Sequence, residues 1–237
     1  MDAPLDNSER QRLQDQYAEI AGLAGALAHE IRNPLSTISM NLELLSEDID
    51  ESDVPQRERM LTKIGRVQSE CGHLQEILEA FLQFARVGEL DLIEADLNLI
   101  VTDFIDFFQA NAAESGLEIS PHLASDLPQV KLDRSLIRQV LLNLALNAQQ
   151  AMPDGGRIEL QTLRQDDAVL LVMIDNGAGM PARTRERIFD VFYSTKSGGS
   201  GLGLPTVRKI VNAHHGTISC ESEVGRGTRF QISLPPA

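Results

Sequence analysis

One stretch constrains the fold more than any other. Met60, Ile64, Val67, Cys71, Leu74, Leu78, Phe81 and Ala85 recur alternately four and three residues apart. A helix turns once in roughly 3.6 residues, so this spacing lays an apolar seam along one side that a lone helix cannot bury. A second seam precedes it, through Leu13, Tyr17, Ile20, Ala24, Leu27 and Ile31, then Leu35, Ile38, Leu42, Leu45 and Ile49. Leu27, Ile31 and Leu35 follow one another four apart, a stutter at Pro34, where the missing backbone donor predicts a kink. The acidic, proline-containing loop SEDIDESDVPQ joins the two helices. An antiparallel hairpin with two such seams reads as half of a four-helix bundle, so the expectation is a homodimer.

After about residue 88 the pattern changes. Leu99 to Ala113 reads as a helix, Leu117–Leu123 and Val130–Leu132 as short strands, and Ser135–Met152 as a second helix. Arg157–Leu163 and Val169–Asp175 are β-rich runs around the polar turn Gln165–Asp167. Leu204–Ala213 is helical again, and Thr217–Glu221 and Thr228–Leu234 are strands. This mixture predicts an α+β sandwich, with helices on one face of a mixed sheet. The expected division is a helical dimerisation domain at 1–88 and an α+β domain at 89–237. Aromatic residues are 4% of the chain and Trp is absent, so the core must be mostly aliphatic.

Charge and cysteine usage remove several classes. The net charge of -14 excludes passive nucleic-acid binding, because nothing offsets phosphate repulsion. The acidity concentrates in residues 1–90, with 17 acidic against 8 basic side chains, which suits solubility or a basic partner surface. Two cysteines, Cys71 and Cys220, are too few for a disulfide scaffold and fit a reducing compartment. No apolar run approaches the roughly 20 residues needed to span a bilayer, and the start MDAPLDNSERQR is no secretion signal. A cytoplasmic chain without membrane contact of its own is expected, with any sensor or membrane part outside this sequence.

Three local patterns carry chemistry. His29 lies between the seam residues Leu27 and Ile31 and faces outward, with Glu30 beside it and Asn33 one turn on. An imidazole next to a carboxylate can be held in one tautomer and made more basic, as a nucleophile requires. Asn143 and Asn147 stand at i and i+4 on a helix whose Ile137, Val140, Leu141, Leu144 and Ala148 fill a core. A carboxamide oxygen suits magnesium, which takes few protein ligands beside phosphates and water; amides capping nearby backbone are the structural alternative. Asp175 ends an apolar strand before the glycines of DNGAGM, and GGSGLG at 198–203 leads into a helix whose free N–H groups suit phosphate. The glycine cluster lacks the Lys and Ser/Thr of a P-loop and sits in no βαβ unit, so both NTPase P-loop and dinucleotide readings fail.

Taken in order, these patterns resemble the boxes of sensor histidine kinases. HEIRNPL at 29–35 resembles the H box, NLALNAQQAM at 143–152 the N box and DNGAGM at 175–180 the G1 box. IFDVFYSTK at 188–196 resembles the F box, GSGLGL at 199–204 the G2 box, and GRGTR at 225–229 a terminal glycine turn of the family. The likeness runs over roughly residues 15–235 and looks most like the nitrogen-regulation branch. It implies a histidine-phosphotransfer hairpin followed by an ATP-binding domain of the Bergerat type, with a lid over the nucleotide at Phe189–Ser200.

Carried over by resemblance, His29 is the phosphorylated residue, Glu30 takes its proton, Asn147 binds Mg²⁺ and Asn143 sits beside the phosphates. Asp175 takes the adenine amine, Gly177 and Gly179 admit the base, and Gly199, Gly201, Leu202, Gly203 and Thr228 complete the ATP pocket. Many kinases of the family carry Lys or Arg where this chain has Gln150, and Lys196 is the candidate substitute. The resemblance implies a response-regulator receiver domain as partner. It also implies dephosphorylation of that regulator through Asn33; the structural alternative is that Asn33 merely helps the helix bend before Pro34. Two rival functions remain: a Bergerat-fold ATPase, which needs a catalytic glutamate that the stretch 138–147 lacks, and an inactive dimeric scaffold, which would let the boxes erode.

Overall fold

A computed structural model describes residues 31–33, 35–47, 49, 57–86, 90–196 and 199–237. The seam before Ile31, His29, Glu30, Pro34 and the connection at 50–56 lie outside the described residues. The chain divides into two compact units, Met1–Gly88 and Glu89–Ala237.

In the first unit, residues 31–33 and 35–47 are helical (α1), and Arg57–Arg86 forms α2. The apolar seams divide by position. Leu35, Ile64, Cys71, Leu78 and Ala85 are buried, and Leu82, which the seam omits, joins Leu78, Ala85 and Phe81 in one cluster. The alternate members face out: Ile38 is 45% exposed, Leu45 48%, Val67 46% and Leu74 50%. A three-four repeat lays its residues on two adjacent lines; one is covered here, and the exposed members of the other give way to partial burial at Phe81.

The second unit is built on a five-stranded sheet. Its elements are β1 (Ile93–Ala95), α3 (Leu97–Glu114), β2 (Leu117–Leu123), β3 (Val130–Leu132), α4 (Arg134–Ala151), β4 (Gly156–Gln165) and β5 (Ala168–Asp175). After these come α5 (Ala182–Arg185), α6 (Gly203–Ala213), β6 (Thr217–Glu223) and β7 (Gly227–Leu234). The order is β2-β4-β5-β7-β6; β2 and β4 run parallel and the other neighbours antiparallel. β5 is the central strand, and Val169 to Met173 are all buried, which accounts for its unbroken apolar run. β4 alternates instead, with Ile158, Leu160 and Thr162 buried toward the helices.

Helix starts follow from local chemistry. Asp96 caps α3 by accepting from Asn98 N, and Asp133 caps α4 by accepting from Ser135 N and Leu136 N. His214, at the end of α6, is 2% exposed. Its Nδ1–H donates to the Ile210 carbonyl at 2.8 Å and its Nε2 accepts from Asp133 N at 2.9 Å, tying α6 to the start of α4.

The α+β sandwich matches the sequence expectation, with one departure in the sheet. β3 pairs with β1 in a separate two-stranded sheet, and β1 has no counterpart among the expected strands. It is three residues long with only Ala95 buried, so it offers no alternation to read. Among the described residues no helix is long and apolar enough to cross a membrane.

Candidate functional site

Three segments of the second unit converge at one end of the sheet. α4 sends its apolar side, Ile137, Val140, Leu141, Leu144, Ala145 and Ala148, into the core. Asn143 and Asn147 are half-buried on its other side. Asn147 Nδ2 donates to the Asn143 carbonyl at 2.9 Å, which turns Oδ1 outward. Lys196 Nζ meets that oxygen at 3.0 Å and also donates to Gln150 Oε1. An outward carboxamide oxygen that already faces an ammonium is a fitting ligand for a hard divalent cation. Asn147 therefore suits the Mg²⁺ that the sequence implies.

The second segment follows β5. Asp175 is 5% exposed, and its Oδ1 accepts from Gly177 N at 3.0 Å and Thr228 N at 3.2 Å. Oδ2 has no donor among the described residues, so it is the acceptor left for a ligand. Burial raises the Asp175 pKa above the usual carboxylate value, against the pull of those two N–H groups and the Lys196 charge. Gly177 is required for space: a Cβ there would stand 2.7 Å from the Ala151 carbonyl oxygen at the end of α4. Ala178 N donates to that same carbonyl at 3.0 Å, fixing the loop to α4. Gly179 passes the Glu223 carbonyl, and Met180 N donates to Ser222 Oγ at 2.8 Å.

The third segment leads into α6. Leu202 is fully buried and caps the helix without a side-chain bond, leaving the helix start open to an acceptor. Gly203 starts the helix close to Asn143, since a Cβ on it would lie 3.8 Å from Asn143 Oδ1. Gly201 has φ +66°, and its carbonyl closes the preceding loop by accepting from Phe192 N at 3.0 Å. Gly199 N donates to the Lys196 carbonyl at 3.4 Å.

The segment expected as a lid has its own anchors. Ile188 is buried, and Arg208 of α6 donates to the Phe189 carbonyl at 2.9 Å while lying over its ring. Arg187 lies 4.2 Å from the Tyr193 ring centroid and pairs with Asp190. α5 has no counterpart in the sequence reading; its four residues are too few for a helical period to register.

Asn143, Asn147, Asp175, Gly177, Gly179, Lys196, Gly199, Gly201, Leu202, Gly203 and Thr228 thus all belong to the second unit. Asn33 belongs to α1 in the first unit, where its residue is exposed and its carbonyl accepts from Thr37 Oγ1 at 3.1 Å. Sequence reasoning gives no role to Ser222 or Arg208. Neither stands in a glycine or amide pattern, and only the fold brings them to the loops they hold.

Comparison with known proteins fits this layout. Residues 20–90 match the His Kinase A (phospho-acceptor) domain, and residues 132–237 match the histidine kinase-, DNA gyrase B- and HSP90-like ATPase domain. Sporulation kinase E of Bacillus subtilis is 35% identical over 229 residues, which is 96% of this chain and 30% of that protein. Signal transduction histidine-protein kinase AtoS of Escherichia coli is 30% identical over 98% of this chain and 38% of its own length. The chain therefore spans about a third of these relatives. Among solved structures, full-length ShkA in complex with AMPPNP aligns with a TM-score of 0.71 at 28% identity, over 91% of this chain and 46% of that one. The histidine kinase ThkA in complex with response regulator protein TrrA gives 0.68 at 26% identity, over 100% of this chain and 68% of that one.

Proposed function

Because the chain belongs to the sensor histidine kinase family, we propose that it phosphorylates His29 from Mg-ATP and passes the phosphoryl group to a response-regulator aspartate. The observation that carries this reading is the meeting of Asp175, the α4 carboxamides and the open α6 start in one unit of a chain that also matches a phospho-acceptor domain.

In this reading Asp175 Oδ2 accepts from the adenine amine, and the loop at Gly177 and Gly179 lets the base lie against backbone. Phosphate oxygens face the start of α6 and the Lys196 ammonium. Mg²⁺, when bound, supplies the charge that draws electrons from the phosphates, and Asn147 Oδ1 would hold it, with Asn143 beside the phosphates. One ring nitrogen of His29 attacks the γ-phosphorus as the bond to ADP breaks, and Glu30 accepts the proton from the other nitrogen. The phosphorylated chain then pairs with a receiver domain, a partnership supported by the complex of ThkA with response regulator protein TrrA. Two copies pair along the exposed seam residues, and the input comes from a sensor segment or partner beyond these residues.

The ATPase reading is disfavoured by α4, whose sequence RSLIRQVLLNLALNAQQA holds no acid to activate water. Incubation with γ-labelled ATP and Mg²⁺ tests the kinase reading. Label that is lost in acid and kept in base supports a phosphohistidine; label that survives acid, or none, contradicts it.

A second activity rests on Asn33. Its residue is exposed on α1, and an amide there can orient water for in-line attack on the regulator's acyl phosphate. In an Asn33→Ala variant with unchanged melting, autophosphorylation should persist and dephosphorylation of the regulator should fall. Unchanged phosphatase activity would refute this role.

A further inference from the structure

Gln150 is a surface residue one turn beyond Asn147 on α4, outside the set of groups that hold the nucleotide in the proposed site. Its Oε1 and Asn147 Oδ1 face the same ammonium, that of Lys196, which comes from the loop between α5 and α6. The loop is shaped to present that lysine. Ser194 Oγ accepts from Lys196 N at 3.1 Å and donates to the Lys196 carbonyl at 3.3 Å, closing a tight turn around it. On either side, Phe189 is held by Arg208, and Phe192 N by the Gly201 carbonyl. The lysine thus ties the loop to α4, and two neutral carboxamides receive it.

An ammonium has three donors, and two are used here, which leaves one for a phosphate oxygen. A divalent cation on Asn147 Oδ1 would repel a lysine sharing that oxygen, leaving Gln150 as its remaining hydrogen-bond partner beside the attraction of the Asp175 charge. A cationic residue at this position would repel Lys196 and free the loop. We propose that Gln150 is a positioning residue for Lys196: it retains the ammonium over the phosphate end of the pocket when Mg²⁺ takes Asn147, so that charge neutralisation comes from the loop. This deepens the proposed ATP site and rests on that reading; the contact between Gln150 and Lys196 does not.

The test is a double-mutant cycle read two ways. The first reading is amide exchange at residues 191–196 and 199–202 without nucleotide, and the second is calorimetric affinity for a non-hydrolysable ATP analogue with Mg²⁺. Gln150→Leu should speed exchange about three- to ten-fold, the range set by loss of one hydrogen bond of ordinary net strength at an exposed site. It should weaken the analogue by a similar factor. Gln150→Glu, which keeps an acceptor, should restore slow exchange. In a Lys196→Gln background, Gln150→Leu should add nothing further. Additive effects of the two substitutions, or exchange unchanged in Gln150→Leu, would overturn the proposal. If the unsubstituted protein bound no analogue, the ATP reading would fail while the exchange measurement still judged the Gln150–Lys196 link.

Discussion

The two units solve the burial problem differently. In the second, a core closes within the unit, with Phe104, Leu132, Leu141, Leu160, Leu171 and Ile232 all less than 2% exposed, while Leu99, Phe107 and Phe192 stay outside it. In the first, the alternate seam residues Ile38, Leu45, Met60, Val67 and Leu74 stay exposed and only Phe81 among those of α2 is partly covered; Leu74 at the middle of α2 is half exposed. A sheet covered by helices can finish its core alone, whereas a two-helix hairpin offers each helix only one neighbour. The second unit should therefore be stable by itself, and the first should need another copy.

Matched substitutions in the two units test this difference. Leu74→Asp and Leu99→Asp start from similar exposure, 50% and 59%. Leu74→Asp should cost several kcal/mol per dimer, because it buries unpaired charge between copies, and should give monomers or aggregates in light scattering. Leu99→Asp, in the first turn of α3 where an acid suits the helix dipole, should change stability by less than about 0.5 kcal/mol. A dimeric Leu74→Asp protein would show that the exposed seam is not an interface. The core of the second unit should answer the other way: Leu160→Ala should cost about 2–5 kcal/mol in denaturant melts and leave the oligomeric state alone.

Smaller effects sharpen the picture inside the second unit. Asp175→Asn should weaken ATP about 10- to 100-fold by calorimetry with little loss of folding stability, since the carboxamide can present a donor to the adenine amine. Since burial raises the Asp175 pKa above 3.8, nucleotide affinity should already decline on acidification at a pH above that value, and Asp175→Asn should flatten the decline. His214 gives the smallest effect. Burial lowers its pKa below 6.5, outweighing the Ile210 hydrogen bond and the Asp133 charge, while His215 acts in the same direction as burial. The folded protein then binds fewer protons than the unfolded one. Its contribution is present above pH 6.5 and is lost as pH falls below that value. Thermal melts between about pH 7.5 and 5.5 should show the loss, and His214→Gln should reduce it.

Strongly periodic elements were legible in the sequence because the pattern is itself the packing instruction. The α4 face with Leu141 and Leu144 inward, and the alternation of Ile158, Leu160 and Thr162, could each be read from spacing. β1 and α5 were not legible, being too short for any period to show. The site divides the same way. Asn143, Asn147, Asp175 and the glycines stand in compact local patterns. Gln150 is linked to Lys196 across 46 positions, a contact that only the folded loop creates. The split of the seam into a covered and an uncovered line also required the fold, because spacing marks both lines alike.

The proposed reaction delivers the phosphoryl group of nucleotide bound in the second unit to one histidine of the first. The most direct measurement is mass-spectrometric mapping, under alkaline conditions, of peptides from the protein incubated with ATP and Mg²⁺. A single phosphorylated peptide spanning His29, absent in His29→Gln and in Asp175→Asn at low ATP, is the predicted result. Phosphate on any other residue, or on His29 with undiminished yield in Asp175→Asn at low ATP, would contradict that reaction.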